Sequence, residues 1–204
     1  SALHNQGHAY LHLGDAARAR SLFSESMTIQ QEQQNTLGMA ECLLGFAALA
    51  LADQVPAAGA RLLAAAAALG GRHVTEEWAA TRLEYEHYLR RAREGLAGDV
   101  FMEEQAAGQR LSLEQAVAYA LEIADKGAAT RTARKMLDEL TPREREVAIL
   151  VAQANSNDEI AQHLVVSKRT VETHVSHILA KLGFTNRAQI VRWVVESGLL
   201  NTAE

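Results

Sequence analysis

The chain has little of what most folds use for cross-links, rigid turns or aromatic cores. Of its 204 residues one is cysteine, two are proline and 5% are aromatic. A lone Cys42 excludes an internal disulfide and any CxxC redox or metal motif. Among Leu43, Leu44 and Phe46 it reads as a small buried hydrophobe rather than a nucleophile. No run of about 18 apolar residues is free of charge. The longest candidate, 38–52, carries Glu41 and is alanine-rich, so no membrane span is expected. No signal peptide is visible, and a cytoplasmic protein is expected. No GxxxxGK[ST] loop is present, so ATP is not expected to bind by that route. No spacing suggests a catalytic triad or a metal-activated water, and the chain is not expected to be an enzyme or to carry a cofactor. What the chain does have is 38 alanines. With few prolines and few β-branched runs, that composition predicts an all-α protein. Because it opens with Ser1-Ala2 inside a helical pattern, the chain is expected to be cut from a longer protein, Ser1 being a cloning remnant.

Charge is unevenly spread. The whole chain carries −5. Residues 1–130 hold 10 Lys/Arg against 16 Asp/Glu, and residues 131–204 hold 10 against 9. An acidic body is therefore joined to a slightly basic tail, which the net charge alone would hide.

The body reads as stacked helices. Gly7, Tyr10, Gly14-Asp15, Ala19 and Phe23 resemble the tetratricopeptide repeat, in which small residues let two helices approach closely. A weaker echo follows, where Ala60-Arg61-Leu62-Leu63 succeeds the turn Asp53-Gln54-Val55-Pro56. Helices are expected near 2–13, 16–34, 37–52, 57–69, 76–94 and 99–108, with Gly70-Gly71, Gly95 and Gly98 as stops. Trp78 is among the larger apolar residues of the fifth. A capping box at Ser112-Leu113-Glu114-Gln115 opens a helix to about Ile123. The stretch that follows has no clear period. The expected division is a helical-repeat regulatory domain over 1–125, a linker over 126–139 and a compact module over 140–204.

From Leu140 the signals sharpen. Thr141-Pro142-Arg143-Glu144 is a capping box with proline at the first helical position, and predicts a helix to about Ala154. Ser156-Asn157-Asp158-Glu159 opens a short helix to about Leu164. Val165-Val166-Ser167 is a tight turn. Ser167 caps a longer helix over 168–182, which Gly183 stops. Asn186 to Gln189 caps a last helix to about Ser197, which Gly198 ends. A short helix, a tight turn and a longer helix make a helix-turn-helix. At 100° per residue Val171, Val175, Ile178 and Leu182 fall within about 60° of one another, so they must face a core. Opposite lie Arg169, Thr173, Ser176 and Ala180. This strip is polar and slim, as a helix in the DNA major groove requires.

Residues 140–200 resemble the LuxR-type helix-turn-helix domain of bacterial transcription regulators. The residues that carry the resemblance are Leu140 to Val147, Ser156 to Ala161, Val166 to Val175, Leu179-Lys181-Leu182-Gly183 and Gly198-Leu199-Leu200. It implies a four-helix module with 168–182 as recognition helix and the last helix as a dimer contact. Val191, Val194 and Val195 add apolar surface to that helix. The DNA-contacting residues expected are Ser167, Lys168, Arg169, Thr170, Glu172, Thr173, His174, Ser176, His177 and Lys181. Two departures stand out. Glu172 occupies a position where many family members carry lysine. Ala152-Gln153-Ala154-Asn155 replaces a glycine-containing turn, with Asn155 expected in the left-handed conformation. More weakly, residues 1–125 resemble the helical repeats preceding this module in large ATP-binding LuxR regulators related to the maltose activator.

The function expected is sequence-specific recognition of double-stranded DNA by a bacterial homodimer, with the repeats sensing an effector or partner protein. A helical-repeat interaction scaffold with a dimerising tail is the alternative. His4, His8 and His12 recur at helical spacing, which suits a transition metal. No carboxylate or cysteine lies near them in sequence, so they are expected to be a surface row and no metal is assigned. Arg90, Arg91 and Arg93 read as a solvated helix face, and Trp193 as a core or dimer residue.

Overall fold

The computed structural model of the chain describes residues 2–77 and 79–197, the side chains of 76–80 and 134 excepted. Trp78 and Gly198-Leu199-Leu200 lie outside the described residues. Among the described residues all regular structure is helical, as the alanine-rich composition predicts. The chain divides into two compact units, residues 1–128 and 129–204.

The first unit is a stack of helices: α1 (Ala2–His12), α2 (Ala16–Glu32), α3 (Thr36–Ala52), α4 (Pro56–Gly70), α5 (Ala79–Glu94) and α6 (Gly98–Gln109). A π-helical turn, His73–Glu77, precedes α5 where the sequence predicts the start of an ordinary helix. α1 packs on α2, α2 on α3, α3 on α4, and α4 on α6. The turns are set by local chemistry. Gly14 takes φ +81°, and Asp15 Oδ1 caps α2 by accepting from the Arg18 amide at 3.0 Å. Pro56 occupies the first turn of α4, where its missing N–H costs nothing.

Phe23 is the centre of the stack. It is fully buried between α1 and α3. A Cβ added at Gly7 would lie 2.5 Å from its ring, and one at Gly45 2.6 Å from it. Two helices thus close on one aromatic ring because both present a glycine to it. The alanines of α4 act alike, with Ala64 to Ala66 buried and Gly108 of α6 against Ala64 and the Arg61 carbonyl. Cys42 is buried as expected, its thiol donating to Ser26 Oγ at 3.3 Å. Arg90, Arg91 and Arg93 are exposed.

The histidine row departs from expectation. His12 is exposed, but His4 and His8 are 5% and 3% exposed. The row is not a surface feature, because the helix face it lies on is the face that meets Phe23 and α5. Burial pushes both imidazoles down, His4 to about 3, with His8 and the N-terminus adding to it, and His8 to about 4, with His12 adding to it. Burial also lifts the nearby Glu84 carboxyl to about 7.

The capping box at Ser112 is present, with Ser112 and Gln115 bonding each other's backbone amides. The helix it opens, α7 (Leu113–Asp138), does not stop near Ile123 but continues through the stretch expected to be a linker. Gly127 is not a breaker there. A Cβ at that position would collide with the Asp53 carboxylate, which is buried in an ion pair with Arg20 at 2.8 Å. The glycine serves close approach, and a single glycine costs a helix only about 1 kcal/mol.

The second unit contains α8 (Pro142–Ala152), α9 (Asn157–Leu164), α10 (Lys168–Leu182) and α11 (Arg187–Glu196). The capping boxes at Thr141, Ser156 and Asn186 are all formed. The turn after α8 is closed differently from the prediction. Ala154, not Asn155, takes the left-handed conformation, at φ +64°. Asn155 instead gives the Leu150 carbonyl two donors, its backbone amide at 3.2 Å and its side-chain amide at 3.0 Å.

These contacts predict opposite signs for two alanine–glycine exchanges. Gly7→Ala should destabilise the first unit by about 1–3 kcal/mol, because the Phe23 ring has nowhere to move. Ala154→Gly should stabilise the second unit by about 0.5–1 kcal/mol by removing left-handed strain. Urea unfolding of each variant, followed by circular dichroism, measures both.

Candidate nucleic-acid interface

α9 and α10 are joined by Val165–Ser167, and the turn is built from specific bonds. Val165 sits at φ +53°, and the Val166 amide reaches back to the Ala161 carbonyl at 3.0 Å. Ser167 Oγ accepts from the Thr170 amide at 3.1 Å and lies 2.8 Å from the Thr170 hydroxyl. Ser167 and Thr170 are therefore occupied in starting α10, whatever else they touch.

α10 divides into two faces as the wheel predicts. Val171 and Ile178 are fully buried, Leu182 is buried and Val175 is half-buried, all against α8, α9 and α11. Arg169, Glu172, Thr173, Ser176 and Ala180 are exposed on the other side. Ser167, Arg169, Thr170, Thr173, His174 and His177 line one shallow depression. Six of the ten expected contact residues thus share a single concave surface. Glu172 and Ser176 lie beside it on the exposed face.

The cations of this helix are not equivalent. Lys168 Nζ is 2.8 Å from Asp158 Oδ2 on α9. Lys181 Nζ is 2.6 Å from Glu144 Oε2 on α8. Among the described residues Arg169 is the only Lys or Arg of α10 without a carboxylate partner. Thr173 donates its hydroxyl to the Arg169 carbonyl at 2.9 Å. What it presents outward is a methyl group and an acceptor oxygen. Glu172 is exposed and adds a carboxylate to the same strip.

The residue that the sequence did not single out is Glu144. Its side chain is 4% exposed. One oxygen accepts from the Thr141 amide at 2.8 Å and from Lys181, while the other faces His177 Nδ1 at 3.9 Å. Burial alone would raise its pKa. The Lys181 hydrogen bond and those from Thr141 outweigh burial and bring it down to about 2. The capping-box pattern marks Glu144 as a helix starter, but nothing local to it shows that Lys181, far along the chain, shares its carboxylate. Trp193 is 6% exposed and meets the Phe184 ring edge-on at 6.3 Å, so it is a core residue. Val194 is likewise buried and Val191 packs on the same core, while Val195, at 56% exposed, is a large apolar residue that α11 turns outward.

Comparison with known proteins finds a family match within this part of the chain and relatives whose similarity extends beyond it. Residues 138–194 match the family model described as bacterial regulatory proteins, luxR family. An HTH-type transcriptional regulator of Mycobacterium tuberculosis is 40% identical over 133 residues, 65% of this chain and 15% of that protein. The nitrate/nitrite response regulator protein NarL of Escherichia coli is 36% identical over 90 residues, 44% of this chain and 41% of NarL. The oxygen regulatory protein NreC of Staphylococcus aureus is 41% identical over 61 residues, 30% of this chain and 28% of NreC. The chain therefore spans about 15% of the length of the mycobacterial relatives it matches. No solved structure matches it.

The ionised Glu144 ties stability to pH. Its folded-state pKa lies below the ordinary 4.5, so its contribution is complete above about pH 5 and is lost as pH falls toward 2. The thermal stability of the second unit should fall progressively as pH drops across that window. Glu144→Gln should flatten the dependence, and Lys181→Ala should lower stability at pH 7 because it leaves a buried carboxylate unpaired.

Proposed function

Taking residues 138–194 as a member of the luxR family of bacterial regulatory proteins, we propose that the chain is a transcriptional regulator that reads duplex DNA with α10 in the major groove. The observation that carries this is the exposed strip Arg169–Glu172–Thr173–Ser176 on the second helix of a helix-turn-helix, with Arg169 free of any carboxylate among the described residues. The N-terminal half of such a helix is the part that reaches base edges. Glu172 can accept from cytosine N4, and the Thr173 methyl can meet that of thymine. Lys168 and Lys181 serve as phosphate contacts only as far as Asp158 and Glu144 release them. Ser167, Thr170, His174 and His177 border the same depression and complete the proposed interface.

Two finer statements belong to this reading. The protein works as a homodimer through α11, whose exposed Val195 supports it, on two half-sites about 10 bp apart or a multiple. The first unit senses an effector or partner and does not read DNA, because its charge repels phosphates. A groove of about 520 Å³ between α2, α3 and α7, lined by Met39, Leu113, Val117 and Leu121, has the size of a small-molecule site. Such a regulator acts in the bacterial cytoplasm. No helix among the described residues is long and apolar enough to cross a membrane.

Binding of the chain to duplex DNA should fall with salt by roughly 0.9 log units per phosphate contact for each log unit of salt. Glu172→Ala and Thr173→Ala should each cost about 1–3 kcal/mol on the preferred site and reorder single-base variants of it. Lys168→Ala should weaken all sequences alike and lower the salt slope by about one. Competitive binding to a library of operator variants separates these. A flat salt response, or a ranking of sites indifferent to Glu172 and Thr173, sinks the proposed docking. Sedimentation equilibrium with Val195→Asp tests the dimer, which should dissociate.

A further inference from the structure

The three-histidine spacing of α1 gains a partner that no local reading of the sequence could supply. His4 and His8 lie one turn apart on the same face. Against that face α5 brings Glu84, 76 residues further along the chain from His8. One ligand atom from each of His4, His8 and Glu84 lies within 4.8 Å of the other two. We propose that these three side chains bind one divalent transition-metal ion of the zinc type.

The geometry at His8 is the strongest reason. Its Nδ1 is 3.2 Å from the Tyr88 hydroxyl, which holds the ring in place. Its Nε2 is buried, makes no hydrogen bond among the described residues, and lies 3.4 Å from Glu84 Oε2. With Nδ1–H donating to the Tyr88 oxygen, the tautomer that metal binding requires, Nε2 presents a lone pair beside a carboxylate oxygen. Two such atoms at that distance are held by a proton or a metal cation between them, and titration with Zn²⁺ distinguishes the two. Ligand atoms about 2.0–2.1 Å from a tetrahedral zinc ion are themselves about 3.4 Å apart, which is the separation seen.

The rest of the surroundings agree. Two imidazoles and one carboxylate are the nitrogen and oxygen donors that zinc accepts, and they leave a fourth position for water. Tyr88 acts from outside the ligand set, fixing the ring that binds, as partners of metal-bound histidines do. Glu84 is 29% exposed, so an ion has a way in. His12, one turn further on, is exposed and stands outside the cluster. A row of histidines that merely fills space against Phe23 would not need an acidic side chain aimed at one of them. This inference is independent of the DNA-reading proposal, since all three ligands lie in the first unit.

The test uses the full 204-residue chain, stripped with a chelator and titrated with ZnCl2 and, separately, CoCl2. One equivalent of Zn²⁺ should bind and raise the melting temperature of the first unit. Co²⁺ should give the visible absorption of a tetrahedral site. Glu84→Gln keeps the shape of the side chain and should weaken Zn²⁺ binding by about tenfold or more, as should His8→Ala. His4→Asn gives a third variant should either fail to fold by circular dichroism. His12→Ala should leave binding unchanged. Absence of a saturable equivalent overturns the proposal. So does binding that survives Glu84→Gln and His8→Ala in folded protein, or that is lost with His12→Ala.

Discussion

Glu144 holds the C-terminal unit in register. Its carboxylate closes the capping box that starts α8, and the same group takes the ammonium of Lys181 from the far end of α10. A buried carboxylate is costly unless it is paired and hydrogen-bonded. Here the cost is offset only if α8 begins at Thr141 and α10 lies across it with Lys181 in reach. One side chain thereby couples where a helix starts to where the exposed strip of another helix points. The hydrophobic cluster that includes Val147, Val171 and Ile178 supplies the burial, and the ion pair adds a directional contact to it.

The first unit solves its packing problem by subtraction. Residues with no side chain, or one methyl group, sit where helices approach closest. Gly7 and Gly45 clasp Phe23, Gly108 meets Ala64, and Gly127 admits Asp53. Small residues contribute little burial each, so the stack depends on many of them being fully enclosed. A substitution that adds one methyl at the clasp acts on two helix interfaces at once.

What was legible in the sequence was whatever local chemistry dictates. Four capping boxes, the glycine stop at Gly183 and the two faces of α10 depend on residues within a few positions of one another. They appear where the spacing puts them. Contacts across long separations were not legible. Gly127 looks like a break until Asp53 is seen opposite it. His4 and His8 look exposed until Phe23, Glu84 and Tyr88 are placed against them. The basic residues of α10 look equally available for phosphate until Asp158 and Glu144 claim two of them. At Ala154 the local rule chose the wrong residue. Asparagine tolerates the left-handed conformation better, but the turn closes one residue earlier, with Ala154 left-handed and the Asn155 backbone amide reaching back to the Leu150 carbonyl.

That strain has a counterpart at the other end of α9. Val165 is left-handed although it is β-branched and 90% exposed. Each such residue costs about 1–2 kcal/mol. α9 is eight residues long, too short to persist alone. Both of its ends are tied instead. Arg187 of α11 donates to Asn157 Oδ1 and to the Asn155 carbonyl, and Arg143 of α8 donates to the Leu164 carbonyl. Val166 packs on the core immediately after the strained residue. Two sharp turns are thus enforced by guanidinium groups and one valine rather than permitted by glycine. A glycine at either turn would relieve strain but would also widen the angles at which α9 leaves α8 and α10 leaves α9. The exposed strip of α10 is aimed by turns that have few other conformations to adopt, which is what reading base edges at hydrogen-bond distance demands.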